Sequence, residues 1–173
     1  LTQTKESRED DLENGWQQLC DKHITKDDIV VGFSASGTTP FVLSILKHCR
    51  KEGIPTGCIV NNPHSPIAEW ADYEVEVITG PEFVTGSTRM KAGTSQKLIL
   101  DMISTTLQIR QGRVEGNKMV NAKLINHKLI DRACRIFMER NSEYKDYEEV
   151  RQLILKAGSV KKAEMMISRH FDM

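Results

Sequence analysis

Ile29-Val30-Val31-Gly32-Phe33-Ser34-Ala35-Ser36-Gly37-Thr38-Thr39-Pro40-Phe41-Val42 changes character twice along its length. The apolar run at its start is short, uninterrupted and β-branched, which is the pattern of a parallel strand buried on both faces. Pro40 then opens a second apolar segment, and proline is favoured in the first turn of a helix, where its missing N–H costs nothing. Between the two lies a turn with four hydroxyls, Ser34, Ser36, Thr38 and Thr39, and one glycine, Gly37, that lets backbone approach a ligand closely. Hydroxyls and free N–H groups at the start of a helix, aided by the helix dipole, make an anion site. In an open parallel sheet such a turn lies beyond the carboxyl end of a strand, where ligands bind. The plainer alternative is an ordinary Ser/Thr cap, for which one hydroxyl would be enough.

Working outward, the alternation repeats. The helix from Pro40 closes near Gly53, a suitable C-terminal cap, and Thr56–Val60 reads as a second strand followed by the turn residues Asn61 to Pro66. Ile67 to Ala71 reads as a short helix and Tyr73 to Ile78 as a third strand. Strand, helix, strand, helix, strand at this spacing predicts a parallel sheet with right-handed crossovers. Three strands are few for a doubly wound fold, so further strands are expected upstream of Leu1. After the third strand comes a second hydroxyl-rich turn, Thr85-Gly86-Ser87-Thr88-Arg89, leading towards Lys91 and a long helix. Its cations would either complement a phosphate or be solvated at the surface. Two such turns after strands of one sheet would converge on a single edge. Together they predict an anion site of the size of a sugar phosphate.

Upstream, residues 9–22 carry acids first and then Leu12, Trp16 and Leu19, the pattern of an amphipathic helix with its negative charge at the favourable end. Downstream, apolar residues from Ala92 to Leu107 recur every three or four positions, which predicts a helix to about Gly112 with a buried stripe. Further helices are expected over Ala122 to Arg140, Tyr147 to Lys156 and Val160 to Ser168. The Ala157-Gly158-Ser159 turn supplies a C-terminal cap and a new N-cap between the last two. The fold class is therefore α/β: residues 1–114 form part of a parallel-sheet domain, and residues 115–173 form an all-helical segment.

Composition removes several classes of function. Twenty-four basic residues balance 24 acidic ones, so there is no positive excess for nucleic acid or for an anionic membrane. No apolar run is long enough to span a bilayer, and the first residues lack a signal-peptide core. The four cysteines are scattered, at positions 20, 49, 58 and 134, with no C-x-x-C spacing. They read as free thiols of a cytoplasmic protein, and no metal or cofactor is expected. His64, His127 and His170 read as structural or surface residues, and the acids near position 9 as a solvated helix start.

The run from Gly80 to Leu98, containing G-P-E-F-V-T-G-S-T-R-M-K-A-G-T, closely resembles the signature of the N-acetylmuramic acid 6-phosphate etherase family. The stretch Val30 to Val42 looks like that family's other signature. Gly116-Asn117-Lys118-Met119-Val120 and the Ala-Gly-Ser helical tail are similar to its C-terminal part. Relatives in the group include the glucokinase regulatory protein, and all share the sugar-isomerase (SIS) domain. The resemblance implies that Ser34, Ser36, Gly37 and Thr39 hold the sugar phosphate, that Ser87 and Thr88 close the pocket, and that Lys91 lies nearby. It implies a lyase chemistry with two glutamates. One removes the C2 proton of the ring-opened sugar and the other protonates the departing lactyl oxygen; water addition then gives N-acetylglucosamine 6-phosphate and D-lactate.

One family glutamate lies in an E-x-x-E-D stretch, matched here by Glu6-Ser7-Arg8-Glu9-Asp10, so Glu9 takes the catalytic role. The other glutamate and a further phosphate loop, G-T-S-G-R, are expected upstream of this chain, which alone would be inactive. The chain departs from the family at Ser7 and Arg8, where small residues are usual, and at Thr38, where Arg is usual. A cytoplasmic homodimer with its site at the interface is implied. Two other readings stay open: a non-catalytic sugar-phosphate sensor, and an aldose–ketose isomerase.

Overall fold

The computed structural model describes residues 9–171, with side chains to residue 168; Glu6, Ser7, Arg8 and the His170 side chain lie outside them. The chain forms two compact units, Leu1–Asp101 and Met102–Met173.

The first unit is built on three parallel strands, β1 (Val30–Ser34), β2 (Thr56–Val60) and β3 (Tyr73–Glu76), in the order β1-β2-β3. Val30 aligns with Thr56 and Ser34 with Val60; Gly57 aligns with Tyr73 and Val60 with Glu76. All five residues of the central strand β2 are buried, whereas all four of β3 are exposed. β1, expected to be buried on both faces, is an edge strand among the described residues, with Val31 exposed and only Gly32 and Ser34 buried. Helix α2 (Pro40–Glu52) crosses from β1 to β2, with Pro40 in its first turn and Gly53 closing it at φ +71°. The core under the sheet gathers Leu46, Cys58, Val60, Ile67 and Ala68. At Gly32 the side chains of α2 lie hard against β1, since a Cβ there would stand 2.5 Å from Val42 Cγ1.

The amino ends of β2 and β3 are tied by one carboxylate. Asp72 Oδ2 accepts from the Thr56 amide at 2.8 Å and from the Thr56 hydroxyl at 2.9 Å. Helix α1 (Asn14–Cys20) is shorter than the 9–22 expected. The Asp11 carboxylate accepts from the Glu13 and Asn14 amides, so the acidic stretch forms a turn and caps the helix instead of joining it. Trp16 of α1 stacks on His48 of α2 at 5.2 Å between ring centroids. Trp70 follows in a 3-10 turn over Ala68–Trp70, where a longer helix was expected, with the Lys47 ammonium 5.0 Å from its ring centroid.

Helix α3 (Lys91–Arg110) corrects a second expectation. Only Ala92 and Ile99 are buried on it, while Leu98, Leu100, Met102, Ile103, Leu107 and Ile109 are exposed. At about 100° per residue these positions spread round the helix, so no single stripe collects them.

The second unit packs α4 (His127–Arg140), α5 (Tyr147–Ala157) and α6 (Val160–Phe171) round Phe137, Val150, Ile154 and Val160. Asn126 caps α4 and Asp146 caps α5 through side-chain oxygens, and Gly158 ends α5 at φ +82°. Residues 122–125, expected as helix, precede that Asn126 cap. A short antiparallel hairpin, β4 (Val114–Glu115) and β5 (Lys118–Met119), was not foreseen; Gly116 turns it at φ +59°. The Arg140 guanidinium joins Glu164 at 2.7 Å and Glu115 at 2.6 Å, and Lys161 reaches Glu115 at 3.2 Å.

Cys49, Cys58 and Cys134 are buried free thiols whose pKa burial pushes up; Cys20 is free and exposed. No helix among the described residues is long and apolar enough to cross a membrane.

Candidate functional site

At the carboxyl ends of the three strands lies an open cleft of about 440 Å³. A volume of that order suits a monosaccharide-sized ligand. Each strand contributes the segment that follows it: Ala35 after β1, Asn61 and Asn62 after β2, and Thr79 to Glu82 after β3. Thr85, Gly86, Thr88 and Ala92 complete the wall, bringing both hydroxyl-rich turns to one cavity.

The first turn is held by its own hydroxyls. Ser34 Oγ is buried, lies 2.8 Å from Thr39 Oγ1 and 3.3 Å from Ser36 Oγ, and accepts from the Gly37 amide at 3.0 Å. Ser36 Oγ accepts from the Thr38 amide at 3.2 Å and from the Thr38 hydroxyl at 3.0 Å. The hydroxyls outnumber what a cap needs because they bond one another, and Thr39 makes no side-chain cap to α2. Ala35 alone of this turn lines the cleft, with Ser34, Ser36, Gly37 and Thr39 shaping the backbone that presents it.

In the second turn Gly86 adopts φ +78°, Ser87 N donates to Val84 O at 2.9 Å and Thr88 N to Gly86 O at 2.9 Å. Thr88 faces the cleft; Ser87 and Lys91 are not among its lining residues. The Lys91 ammonium instead donates to Thr79 O at 2.7 Å, fixing the chain after β3 against the start of α3. Glu9 is exposed in the turn ahead of α1 and is not part of the cleft wall.

Sequence reasoning passed over two groups here. Asn61 is buried; its amide donates to Val77 O and to Ser95 Oγ, both at 2.8 Å, and its oxygen accepts from Gln96 at 2.9 Å. It therefore joins the end of β2 to the end of β3 and to α3. Asn62 donates to Ala35 O at 2.9 Å, joining the same loop to the first turn. The other is Glu82, whose carboxylate accepts from the Lys91 amide at 3.0 Å and the Ala92 amide at 2.9 Å. Those two amides hold its carboxyl below the usual carboxylate range, Ala92 contributing most. The signal available was position: all three residues follow the carboxyl end of a parallel strand. Among the described residues, no group of three His, Cys, Asp or Glu side chains is placed to hold a metal.

Parallel strands joined by a crossover helix, with hydroxyl-rich turns beyond their carboxyl ends, define an α/β domain of the class that binds ligands at that edge. The SIS domain family matches residues 15–105, more than half of the 173, and the chain belongs to that family. Curated relatives carry a more particular name. The chain is 53% identical over 165 residues to an N-acetylmuramic acid 6-phosphate etherase of Bacteroides thetaiotaomicron, covering 95% of this chain and 59% of that protein. It is 54% identical over 157 residues to one of Porphyromonas gingivalis, covering 90% and 56%, and 50% identical over 162 residues to one of Christiangramia forsetii, covering 94% and 58%. The chain thus spans a little over half the length of the curated relatives it matches.

Proposed function

We propose that this chain is part of an N-acetylmuramic acid 6-phosphate etherase, a carbon–oxygen lyase that releases D-lactate and leaves N-acetylglucosamine 6-phosphate. The observation that carries the reading is 53% identity over 95% of the chain to a protein of that name. A sugar-sized cleft where both hydroxyl turns meet agrees with it.

In this reading the turn from Ser34 to Thr39 takes the phosphate. Its hydroxyls and the Gly37 and Thr38 amides exchange bonds made within the turn for bonds to phosphate oxygens. Ser87 and Thr88 close the opposite wall, with Lys91 supporting the rim. Glu9 acts as one of two acid–base groups, the other lying outside this chain. As a base it takes the C2 proton; as an acid it supplies the proton that leaves with the lactyl oxygen. A cytoplasmic homodimer serving the salvage of cell-wall sugars, without a metal, completes the proposal.

The test is direct. The complete polypeptide carrying this chain, incubated with N-acetylmuramic acid 6-phosphate, is expected to release D-lactate in stoichiometric amount with N-acetylglucosamine 6-phosphate. Binding of the sugar phosphate without lactate would favour a sensor and overturn the etherase reading. Glu9→Gln should lower kcat by at least about a hundredfold, the ordinary scale of a lost acid–base group. Unchanged turnover in that variant would remove Glu9 from the mechanism.

A further inference from the structure

The start of α3 is filled by an anion from the chain itself. Glu82 spans its first two amides, one carboxylate oxygen on Lys91 N and the other on Ala92 N. It is also the only charged side chain among the cleft-lining residues. Each carboxylate oxygen accepts about two hydrogen bonds, so after serving one amide each retains capacity for another donor. The Lys91 ammonium, whose charge acts on Glu82, donates its hydrogen bond to Thr79 O. A phosphate at this end of the cleft would meet a fixed negative charge, while a hydroxyl or amide N–H would meet an acceptor held in position.

We propose that Glu82 is the specificity-determining residue of the cleft: it accepts a hydrogen bond from a neutral hydroxyl or N–H of the sugar and excludes the phosphate from the α3 end. The ligand is thereby given one direction, with its phosphate towards Ser34–Thr39. This deepens the proposed function and rests on it for the sugar, but not for the exclusion of phosphate.

Calorimetric titration of the complete polypeptide with inorganic phosphate, and separately with N-acetylglucosamine 6-phosphate, tests this in wild type and Glu82→Ala. Removing the carboxylate frees the α3 amides and lifts the repulsion. Inorganic phosphate should bind about tenfold tighter, and the sugar phosphate about tenfold weaker, the scale of one hydrogen bond to a charged group. Glu82→Asp should retain the wild-type order of affinities, and Glu82→Gln, close in shape, carries the comparison if the alanine variant does not fold. A variant that weakens both ligands equally would show Glu82 to be a helix cap alone and overturn the proposal. So would unchanged phosphate affinity. The phosphate titration does not depend on turnover. A protein that releases no D-lactate but shows the phosphate difference would lose the etherase reading and keep this role for Glu82.

Discussion

Gly37 is constrained from two directions at once. Its φ of +73° lies in the left-handed region, and a Cβ built on it would stand 2.1 Å from Ser65 Oγ and 2.3 Å from Ser65 Cβ. Ser65 cannot easily withdraw, being buried with its hydroxyl on Asn62 O at 2.6 Å. Gly37→Ala is therefore expected to destabilise the first unit by about 2 kcal/mol or more, combining backbone strain with a steric clash. Urea denaturation of the variant beside wild type checks this; a loss below about 0.5 kcal/mol would show the turn to be adaptable. The glycine was legible from sequence, but its reason was not. Close approach was expected towards a ligand, and the structure shows it towards Ser65. Asn61 and Glu82 escaped for a related cause. The side-chain partners of Asn61 lie 16, 34 and 35 residues away, and those of Glu82 nine and ten, beyond any local pattern.

Among elements, those with strong local punctuation could be read and those shaped by distant contacts could not. Strand β2 and helix α2 were legible because Pro40, Gly53 and the turn residues from Asn61 to Pro66 mark their ends. Helix α1 was overextended because its acids suit a helix start and an Asp-capped turn equally well, and the hydrogen bonds that Asp11 accepts settle the matter. The apolar period of α3 predicted burial that the described residues do not provide. In the second unit, by contrast, period and packing agree. Phe137 is fully buried on α4, meets Tyr144 edge-on at 5.3 Å between centroids, and belongs to a cluster drawn from all three helices. Phe137→Ala should cost about 3–5 kcal/mol, the usual range for deleting a buried aromatic ring. Helical circular dichroism during thermal melting measures it, and a shift of only a degree or two would mean the cavity collapses without penalty.

On the scale of the molecule, each unit carries a carboxylate whose folded state favours ionisation. The Thr56 backbone amide, then the Thr56 hydroxyl, hold Asp72 below its ordinary pKa; hydrogen bonds from Arg140 and then Lys161 do the same for Glu115. A depressed folded-state value means that the unfolded chain binds protons more readily on acidification. The stabilisation is present above the unfolded values near about pH 4 and is lost as pH falls through the folded ones. Melting temperature should therefore decline on both units below about pH 4, with Asp72→Asn flattening the decline of the first unit and sparing the second. Added salt should reduce the effect at Glu115, whose partners are ions, more than at Asp72, whose nearest partners are neutral.

The two tryptophans of the sequence, Trp16 stacked on His48 and Trp70 beside Lys47, both belong to the first unit. Intrinsic fluorescence excited at the indole band is consequently a private reporter of that unit, while far-ultraviolet ellipticity weights the helix-rich second one. Unfolding curves from the two signals, recorded on one sample, would coincide only if the units unfold as one cooperative block. Their separation along the denaturant axis would measure the independence of the sheet and the helical bundle without a single label being introduced.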